Sequence, residues 1–267
     1  MSNEIAVVST WDQFRRQWDS RQNFIVRGEL FPFQLEPPSA AEVIETMLLD
    51  EKTRVLQKKG DGNVSIGEPD DGPPNPNMNP AYEPFPQFRE MPIAEKLKQR
   101  ASLAHFDFGE FTPLAPTFNG MIETIDRWYE SLTKHGFSWD SSQRILFLSG
   151  PGCNTGYHFD SSYVLAWQLV GVKRWYWLKE PERWCDKEER RQKADRYDLM
   201  TRPEGITPDD CHSFEMQPGD VFWNVMLTPH WVDAIGDATY SVNITHFHLR
   251  CDGRLSDIDI ERDSMQR

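Results

Sequence analysis

The feature that most constrains this chain is a His-x-Asp tripeptide, His158-Phe159-Asp160, followed 72 residues later by His230. Successive side chains of a β-strand point to opposite faces, so His158 and Asp160 share a face if the tripeptide lies on a strand. Two imidazoles and one carboxylate can then hold one metal ion and leave three octahedral positions open. This donor set is typical of iron(II) centres that activate dioxygen, so the pattern indicates oxidative chemistry rather than metal storage.

The same tripeptide occurs earlier in the chain, at 105–107, and its context differs. The second copy follows an apolar strand and a Gly/Pro turn, and it precedes two strand-like runs, 164–170 and 173–179, joined at Gly171. The first copy precedes a helix-like stretch and has no comparable hairpin. We therefore place the metal at the second copy and interpret His105 as an ordinary loop or strand-end histidine.

A third ligand follows from another strand–turn–strand pattern. The run 214–223 contains Pro218-Gly219, a residue pair typical of a tight turn. His230 comes ten residues after Asp220, and a clear strand is predicted over 240–249. We expect the metal ligands to be His158, Asp160 and His230.

In these segments the chain resembles the JmjC and cupin-like iron(II)- and 2-oxoglutarate-dependent oxygenases. The resemblance covers roughly residues 144–180 and 213–249, with a weaker similarity at the N-terminus. It rests on the spacing of an H-x-D, a Gly-x-Lys whose lysine comes fifteen residues after that histidine, a Pro-Gly-Asp turn, and a histidine ten residues later. Here these are His158/Asp160, Gly171-Val172-Lys173, Pro218-Gly219-Asp220 and His230.

The resemblance implies three residues for 2-oxoglutarate. Lys173 would pair with its distal carboxylate, Thr155 would hydrogen-bond the same group, and Asn243 would lie beside the chelated end. Physical chemistry supports a cation here, because a buried carboxylate without a partner is costly. Lys173 could instead be a charge at a strand edge, but its spacing from His158 favours the co-substrate role.

Two departures from the family pattern concern the walls of the site. Many relatives have an asparagine six residues after the first histidine, where this chain has Val164. The segment before the last histidine commonly carries a proline and paired tryptophans, whereas this chain has Asn224-Val-Met-Leu-Thr-Pro229. Both changes leave the ligands in place and bear on how the co-substrate is oriented.

The resemblance implies a mainly β fold with flanking helices (α+β): a double-stranded β-helix, the jelly-roll barrel of the cupins. A length of 267 residues is compatible with one domain, 1–267. We expect a scaffold over 1–143, the metal-bearing barrel over 144–249 and a tail over 250–267. Capping and periodicity predict a strand over 23–28 and helices over 12–18, 39–50, 93–100 and 119–134.

The segment 59–92 interrupts the scaffold with eight prolines between 69 and 92. Such a run excludes a packed helix or a central strand. It is either a disordered insertion or a lid over the site. The apolar residues Tyr82, Phe85, Phe88 and Met91 could anchor a lid and favour the second interpretation.

Composition narrows the partners and the compartment. The net charge is −13 and no basic block is long enough to track a phosphate backbone, so we expect no nucleic-acid partner. The basic residues of 187–193 lie among acids in a predicted helical surface insert over 181–200. No apolar run approaches membrane-spanning length, and the N-terminus does not resemble a secretory leader. Four widely spaced cysteines fit a reducing cytosol, so we expect a cytoplasmic protein.

The resemblance implies an iron(II)- and 2-oxoglutarate-dependent dioxygenase that consumes O2, releases succinate and CO2, and hydroxylates a C–H bond. Because Asp160 keeps a carboxylate among the ligands, hydroxylation is favoured over halogenation. The expected substrate is a small molecule, an amino-acid derivative or a peptide. A hydroxylase or demethylase acting on a side chain of an intact protein is the alternative, and a non-catalytic metal-binding cupin module is a third. The sequence leaves the oligomeric state open.

Overall fold

The computed structural model describes residues 5–59, 82–111, 116–186, 190 and 202–264. Most of the proline-rich segment and most of the predicted helical insert lie outside these residues, so the lid and the insert remain predictions. Where the segment 59–92 is described, Phe85 and Phe88 are buried in the hydrophobic core. The proposed division of the chain into scaffold, barrel and tail also remains a prediction.

The fold is mainly β, with helices packed around the strands. In chain order the strands are β1 Val7–Val8, β2 Phe24–Val26, β3 Arg54–Lys58, β4 Tyr82–Pro84, β5 Ala101–His105, β6 Phe137–Ser138, β7 Arg144–Ser149, β8 Asn154–His158, β9 Tyr163–Leu178, β10 Cys211–Met216, β11 Val221–Asn224, β12 His230–His246, β13 Arg250–Cys251 and β14 Arg254–Leu255. The helices are α1 Trp11–Gln17, α2 Ala40–Met47, α3 Ile93–Lys96, α4 Asn119–Lys134 and α5 Asp257–Ser264.

The two long strands, β9 and β12, pair with each other and change their outer neighbours along their length. The first half of β9 pairs with β11 and its second half with β10. The start of β12 pairs with β8 and its end with β7. Strands that exchange neighbours in this way carry the chain from one sheet to the other, which is the arrangement of a double-stranded β-helix. One continuous path of paired strands runs β1-β2-β11-β9-β12-β7-β5-β3-β4, so β2 and β1 extend it beyond β11, and β5, β3 and β4 extend it beyond β7.

Glycines allow these long strands to bend. Gly171 in β9 and Gly236 in β12 have φ values of +69° and +77°, a backbone region that only glycine enters readily. A Cβ at Gly171 would lie 2.7 Å from the Cβ of Thr239. The pairing of β9 with β12 shifts register between Ile235 and Tyr240, beside these bends.

The predicted helices at both ends of the scaffold are confirmed. Thr10 and Ser39 each form a capping box at the first turn of α1 and α2, which satisfies backbone N–H groups that a helix start leaves free. The amphipathic pattern over 119–134 forms α4, whose apolar face is buried. The helix predicted over 93–100 is shorter and ends at Lys96, because Ala101 already begins β5.

Two strand boundaries differ from the prediction. The runs 164–170 and 173–179 form one strand, β9, which continues through Gly171 although its pairing with β12 shifts register there. The strand predicted over 240–249 begins at His230 and ends at His246. Within the described part of the chain, no helix combines the length and apolarity that crossing a membrane would need. All four cysteines are buried and none forms a disulfide.

Candidate active site

His158, Asp160 and His230 come together at the junction of β8 and β12. His158 is the last residue of β8 and lies directly opposite His230, the first residue of β12. One ligand atom from each side chain lies within 4.8 Å of the others. The Nε2 atoms of His158 and His230 are 3.8 Å and 3.6 Å from the nearer carboxylate oxygen of Asp160. Both imidazoles and the carboxylate can therefore contact one ion.

The protons of both imidazoles are positioned by backbone carbonyls. His158 Nδ1 is 2.7 Å from Gly156 O, and His230 Nδ1 is 2.9 Å from Thr228 O. A carbonyl oxygen only accepts, so each Nδ1 carries the proton and each Nε2 presents its lone pair to the metal position. Burial lowers the pKa of His230 to about 4, and the adjacent His158 adds to this effect. His230 is therefore neutral, as a metal ligand must be, at physiological pH.

A β-bulge in β8 turns Thr155 toward the ligands. His158 is opposite His230 and Thr155 is opposite Val232, so three steps along β8 match two steps along β12. Because paired residues share a face of the sheet, the extra residue puts Thr155 on the same face as His158. The Thr155 side chain is exposed and can reach a molecule in the site.

Lys173 is a buried lysine, and no carboxylate pairs with it in the described part of the chain. Its side chain lies within the barrel, and Nζ donates hydrogen bonds to Ser241 Oγ at 2.8 Å and to Phe147 O at 3.4 Å. None of the ion pairs among the described residues includes Lys173. Burial lowers the pKa of Lys173 to about 7, because the charged ammonium has lost its hydration. A carboxylate brought to Nζ would restore the charged form.

Asn243 lies on β12 two residues after Ser241, so both side chains share a face of the strand. Its Oδ1 is buried and has no hydrogen-bond partner in the described structure. A buried amide oxygen in this state costs free energy until a donor reaches it. Lys173 and Asn243 thus lie near Ser241 in the barrel, and Thr155 lies on the face of β8 that carries His158. Their contacts with 2-oxoglutarate remain predictions.

Several residues that support the site were not predicted from the sequence. Trp175 stacks on the His230 ring, with centroids 5.3 Å apart and planes 13° apart, and shields that imidazole from water. Asn224 Nδ2 donates to Asp160 Oδ2 at 2.9 Å. The sequence spacing could have predicted Trp175, because it lies two residues after Lys173 on the same strand and therefore shares its face.

The first His-Phe-Asp copy lies outside the site. His105 ends β5, is buried, and contacts Asp50 Oδ2 through Nε2 at 3.0 Å. The backbone N–H of Asp107 donates to His105 Nδ1 at 3.2 Å. Hydrogen bonds from Lys52 and His105 lower the pKa of the Asp50 carboxyl. The assignment of His105 as a strand-end histidine is confirmed by its position.

Comparisons with known proteins agree with this geometry. Residues 124–250 match the family model of the JmjC domain. The fold matches solved structures of the ribosomal oxygenase YcfD from Escherichia coli, one at 16% identity over 90% of this chain with a TM-score of 0.52. A second, YcfD in complex with cobalt and 2-oxoglutarate, has the same identity, coverage and TM-score, and a third has 18% identity and a TM-score of 0.53. The chain spans about half the length of these proteins. No protein of curated function matches the sequence.

The jelly-roll strands and the His-Asp-His cluster define a cupin-like metal site with the donor set that iron(II) prefers in oxygenases. The matched segment, residues 124–250, contains His158, Asp160 and His230, so this part of the chain is similar to the JmjC domain.

Proposed function

We propose that this chain is an iron(II)- and 2-oxoglutarate-dependent hydroxylase that acts on a side chain of a protein. The observation that carries the activity is the convergence of two imidazole Nε2 atoms and one carboxylate in a barrel that also holds a buried lysine, for which no ion pair is found among the described residues. A metal-binding module without a co-substrate has no need of an unpaired buried cation, which is costly to bury. This argues against the non-catalytic alternative.

The site residues have two proposed roles, metal binding and co-substrate binding. His158, Asp160 and His230 hold the metal through Nε2, a carboxylate oxygen and Nε2. Lys173 neutralises the distal carboxylate of 2-oxoglutarate, Thr155 hydrogen-bonds the same group, and Asn243 contacts the chelated end. When bound, iron(II) and 2-oxoglutarate together supply the oxygen chemistry that oxidises a substrate C–H bond and releases succinate and CO2.

The barrel also excludes water around Lys173 and His230. Trp175 on the strand of Lys173, Val232 on the strand of His230 and Phe222 on β11 belong to one buried apolar cluster. Interactions between charges are stronger in such surroundings than in water. The pairing of Lys173 with a carboxylate therefore contributes both affinity and orientation.

Two observations favour an intact protein over the small molecule expected from the sequence. The structures with the same fold include a ribosomal oxygenase. The side chains of His158 and Asp160 keep 20% and 29% of their surface exposed, so the metal position can be reached from outside the barrel. A long side chain projecting from a protein surface can approach such a site without its backbone entering the barrel.

The substrate class is tested by succinate formation. The enzyme, loaded with iron(II) and 2-oxoglutarate, is incubated with the ribosomal proteins of its own organism and, separately, with free amino acids and small peptides. Stimulation by a protein, with one added oxygen atom on one of its side chains by mass spectrometry, is the expected result. The variant Asp160→Ala is the control for succinate formed without the intact metal site. Stimulation by free amino acids alone would instead restore the small-molecule interpretation.

A further inference from the structure

A buried chain of amides leads from the N-terminal part of the chain to the carboxylate of Asp160. Asn23 Nδ2 donates to Asn224 Oδ1 at 2.8 Å, and Asn224 Nδ2 donates to Asp160 Oδ2 at 2.9 Å. Asn23 and Asn224 are 3% and 0% exposed. Both amides are therefore removed from water, and each of these hydrogen bonds fixes the orientation of the group that receives it.

The same asparagines hold the loop that leads to the last ligand. Asn23 Oδ1 accepts from the backbone N–H of Val225 at 2.7 Å, immediately after Asn224 ends β11. The backbone N–H of Leu227 donates to Asp160 O at 2.9 Å. Asp160 is thus connected to this loop twice, once through its backbone and once through its side chain.

The loop is held in a conformation that leucine does not favour. Leu227 has a φ of +61° and is buried. For a residue with a Cβ this left-handed region costs roughly 1–2 kcal/mol, and it persists where surrounding contacts enforce it. His230, the first residue of β12, follows three residues after Leu227. The hydrogen bonds of Asn224 and Asn23 are part of what enforces this conformation.

Asp160 needs such support more than the histidines do. Each imidazole is oriented by its own backbone carbonyl, whereas the Asp160 side chain is 29% exposed and could rotate toward solvent. Asn224 is the side-chain donor to its carboxylate among the described residues. It lies directly opposite Val164 in the pairing of β11 with β9.

We propose that Asn224 is a positioning residue that fixes the Asp160 carboxylate for metal binding, and that Asn23 supports Asn224. The inference rests on the proposed function only in requiring that a metal binds at His158, Asp160 and His230. Groups that hydrogen-bond a metal ligand typically change metal affinity by about 10–100-fold when removed.

The test measures metal affinity directly and needs no turnover. Co(II) is titrated into the apo protein without 2-oxoglutarate, for the wild type, Asn224→Leu, Asn224→Ala and Asn23→Leu. The matched control is Gln168→Leu, which also deletes a fully buried amide, one that donates to Val170 O, Gly171 O and Thr239 Oγ1 instead of to a ligand. Thermal unfolding of each apo protein gives its stability separately.

We expect Asn224→Leu to weaken Co(II) binding by roughly 10–100-fold and Asn23→Leu to weaken it less. Gln168→Leu should lose thermal stability while keeping the wild-type affinity. If Asn224→Leu does not fold, Asn224→Ala is expected to show the same loss. Wild-type affinity in a folded Asn224 variant, or an equal loss in Gln168→Leu, would overturn the proposal. If the wild type itself bound no Co(II), the proposed function would fail instead.

Discussion

The two His-Phe-Asp tripeptides of this chain have the same residues and different environments. In both, the histidine is the last residue of a strand, β5 for His105 and β8 for His158. His158 lies opposite His230, which supplies another nitrogen ligand. His105 lies opposite Leu146 of β7 in the ladder and instead contacts Asp50. The tripeptide forms a candidate metal site only where the sheet pairs it with a third possible ligand.

The protonation of the two histidines reinforces this difference. His158 Nδ1 faces a carbonyl oxygen, so its Nε2 has a free lone pair. His105 Nδ1 accepts from a backbone N–H, so its Nε2 carries the proton and donates to Asp50. An imidazole whose Nε2 is already a donor cannot offer that atom to a metal. The backbone around each histidine therefore decides its chemistry.

The largest expected effect on activity is the difference between alanine substitutions at the candidate ligands and an alanine substitution at His105. His158→Ala, Asp160→Ala and His230→Ala should each reduce substrate-stimulated succinate formation to background, because each removes a metal ligand. His105→Ala should keep the activity and lose about 1–3 kcal/mol of unfolding free energy, since it removes a buried hydrogen-bond partner of Asp50. Chemical denaturation and succinate assays separate the two outcomes. A fully active Asp160→Ala enzyme would contradict the comparison.

Lys173→Met should give the next largest effect. The substitution keeps the length of the side chain and removes the cation, so 2-oxoglutarate binding should weaken by roughly 2–5 kcal/mol, as when one member of a buried ion pair is lost. Mn(II) binding in the absence of 2-oxoglutarate should change much less. Calorimetric titrations of both ligands provide the measurement. Loss of both affinities together would indicate a collapsed barrel, and no loss of either would mean that another residue holds the carboxylate.

The pH dependence of 2-oxoglutarate binding should reveal the same lysine. Burial lowers the pKa of Lys173 to about 7, and a bound carboxylate raises it again by favouring the ammonium. Above pH 7 binding must therefore take up a proton, so the affinity should fall by about tenfold per pH unit, while below pH 7 it should be flat. Calorimetry in buffers of different ionisation enthalpy counts the proton. Lys179→Met, in which a lysine at the barrel surface is replaced, should retain this slope, and a flat profile in the wild type would rule out the mechanism.

Thr155→Val should have the smallest effect. Valine keeps the shape of threonine and removes the hydroxyl that is expected to bond the distal carboxylate, so the affinity for 2-oxoglutarate should fall by about 0.5–1.5 kcal/mol. The metal affinity should stay at the wild-type value. An effect as large as that of Lys173→Met would mean that the bulge in β8, and not one hydrogen bond, had been disturbed.

The convergence of His158, Asp160 and His230 was expected from short-range patterns, and the jelly roll was expected from the family resemblance. Asp160 lies two residues beyond the end of β8 and still comes beside His158, as the short spacing of the tripeptide suggests, and Pro218-Gly219 lies in the predicted turn between β10 and β11. The helix starts at Thr10 and Ser39 are equally local, since each is a capping box. Each of these local features depends on residues that are only a few positions apart in the sequence.

Features that depend on the pairing of distant strands could not be predicted. Asn23 contacts Asn224 across 201 residues of sequence, so the N-terminal scaffold contributes to the metal site. Gly171 packs against Thr239 of β12. This long-range contact bears on how the runs on either side of Gly171 join into one strand, β9. The sequence shows that segment 224–229 differs from the family pattern. Only the structure shows that Asn224, at its start, donates a hydrogen bond to Asp160.

The most direct test is an anaerobic titration of iron(II) and 2-oxoglutarate, followed by the weak visible charge-transfer band of their complex. The account predicts the band in the wild type and in His105→Ala, and its absence in His158→Ala and His230→Ala. All four proteins must first be shown to be folded by circular dichroism. A band that persisted in His158→Ala, or that disappeared in a folded His105→Ala, would contradict the assignment of the site to the second tripeptide.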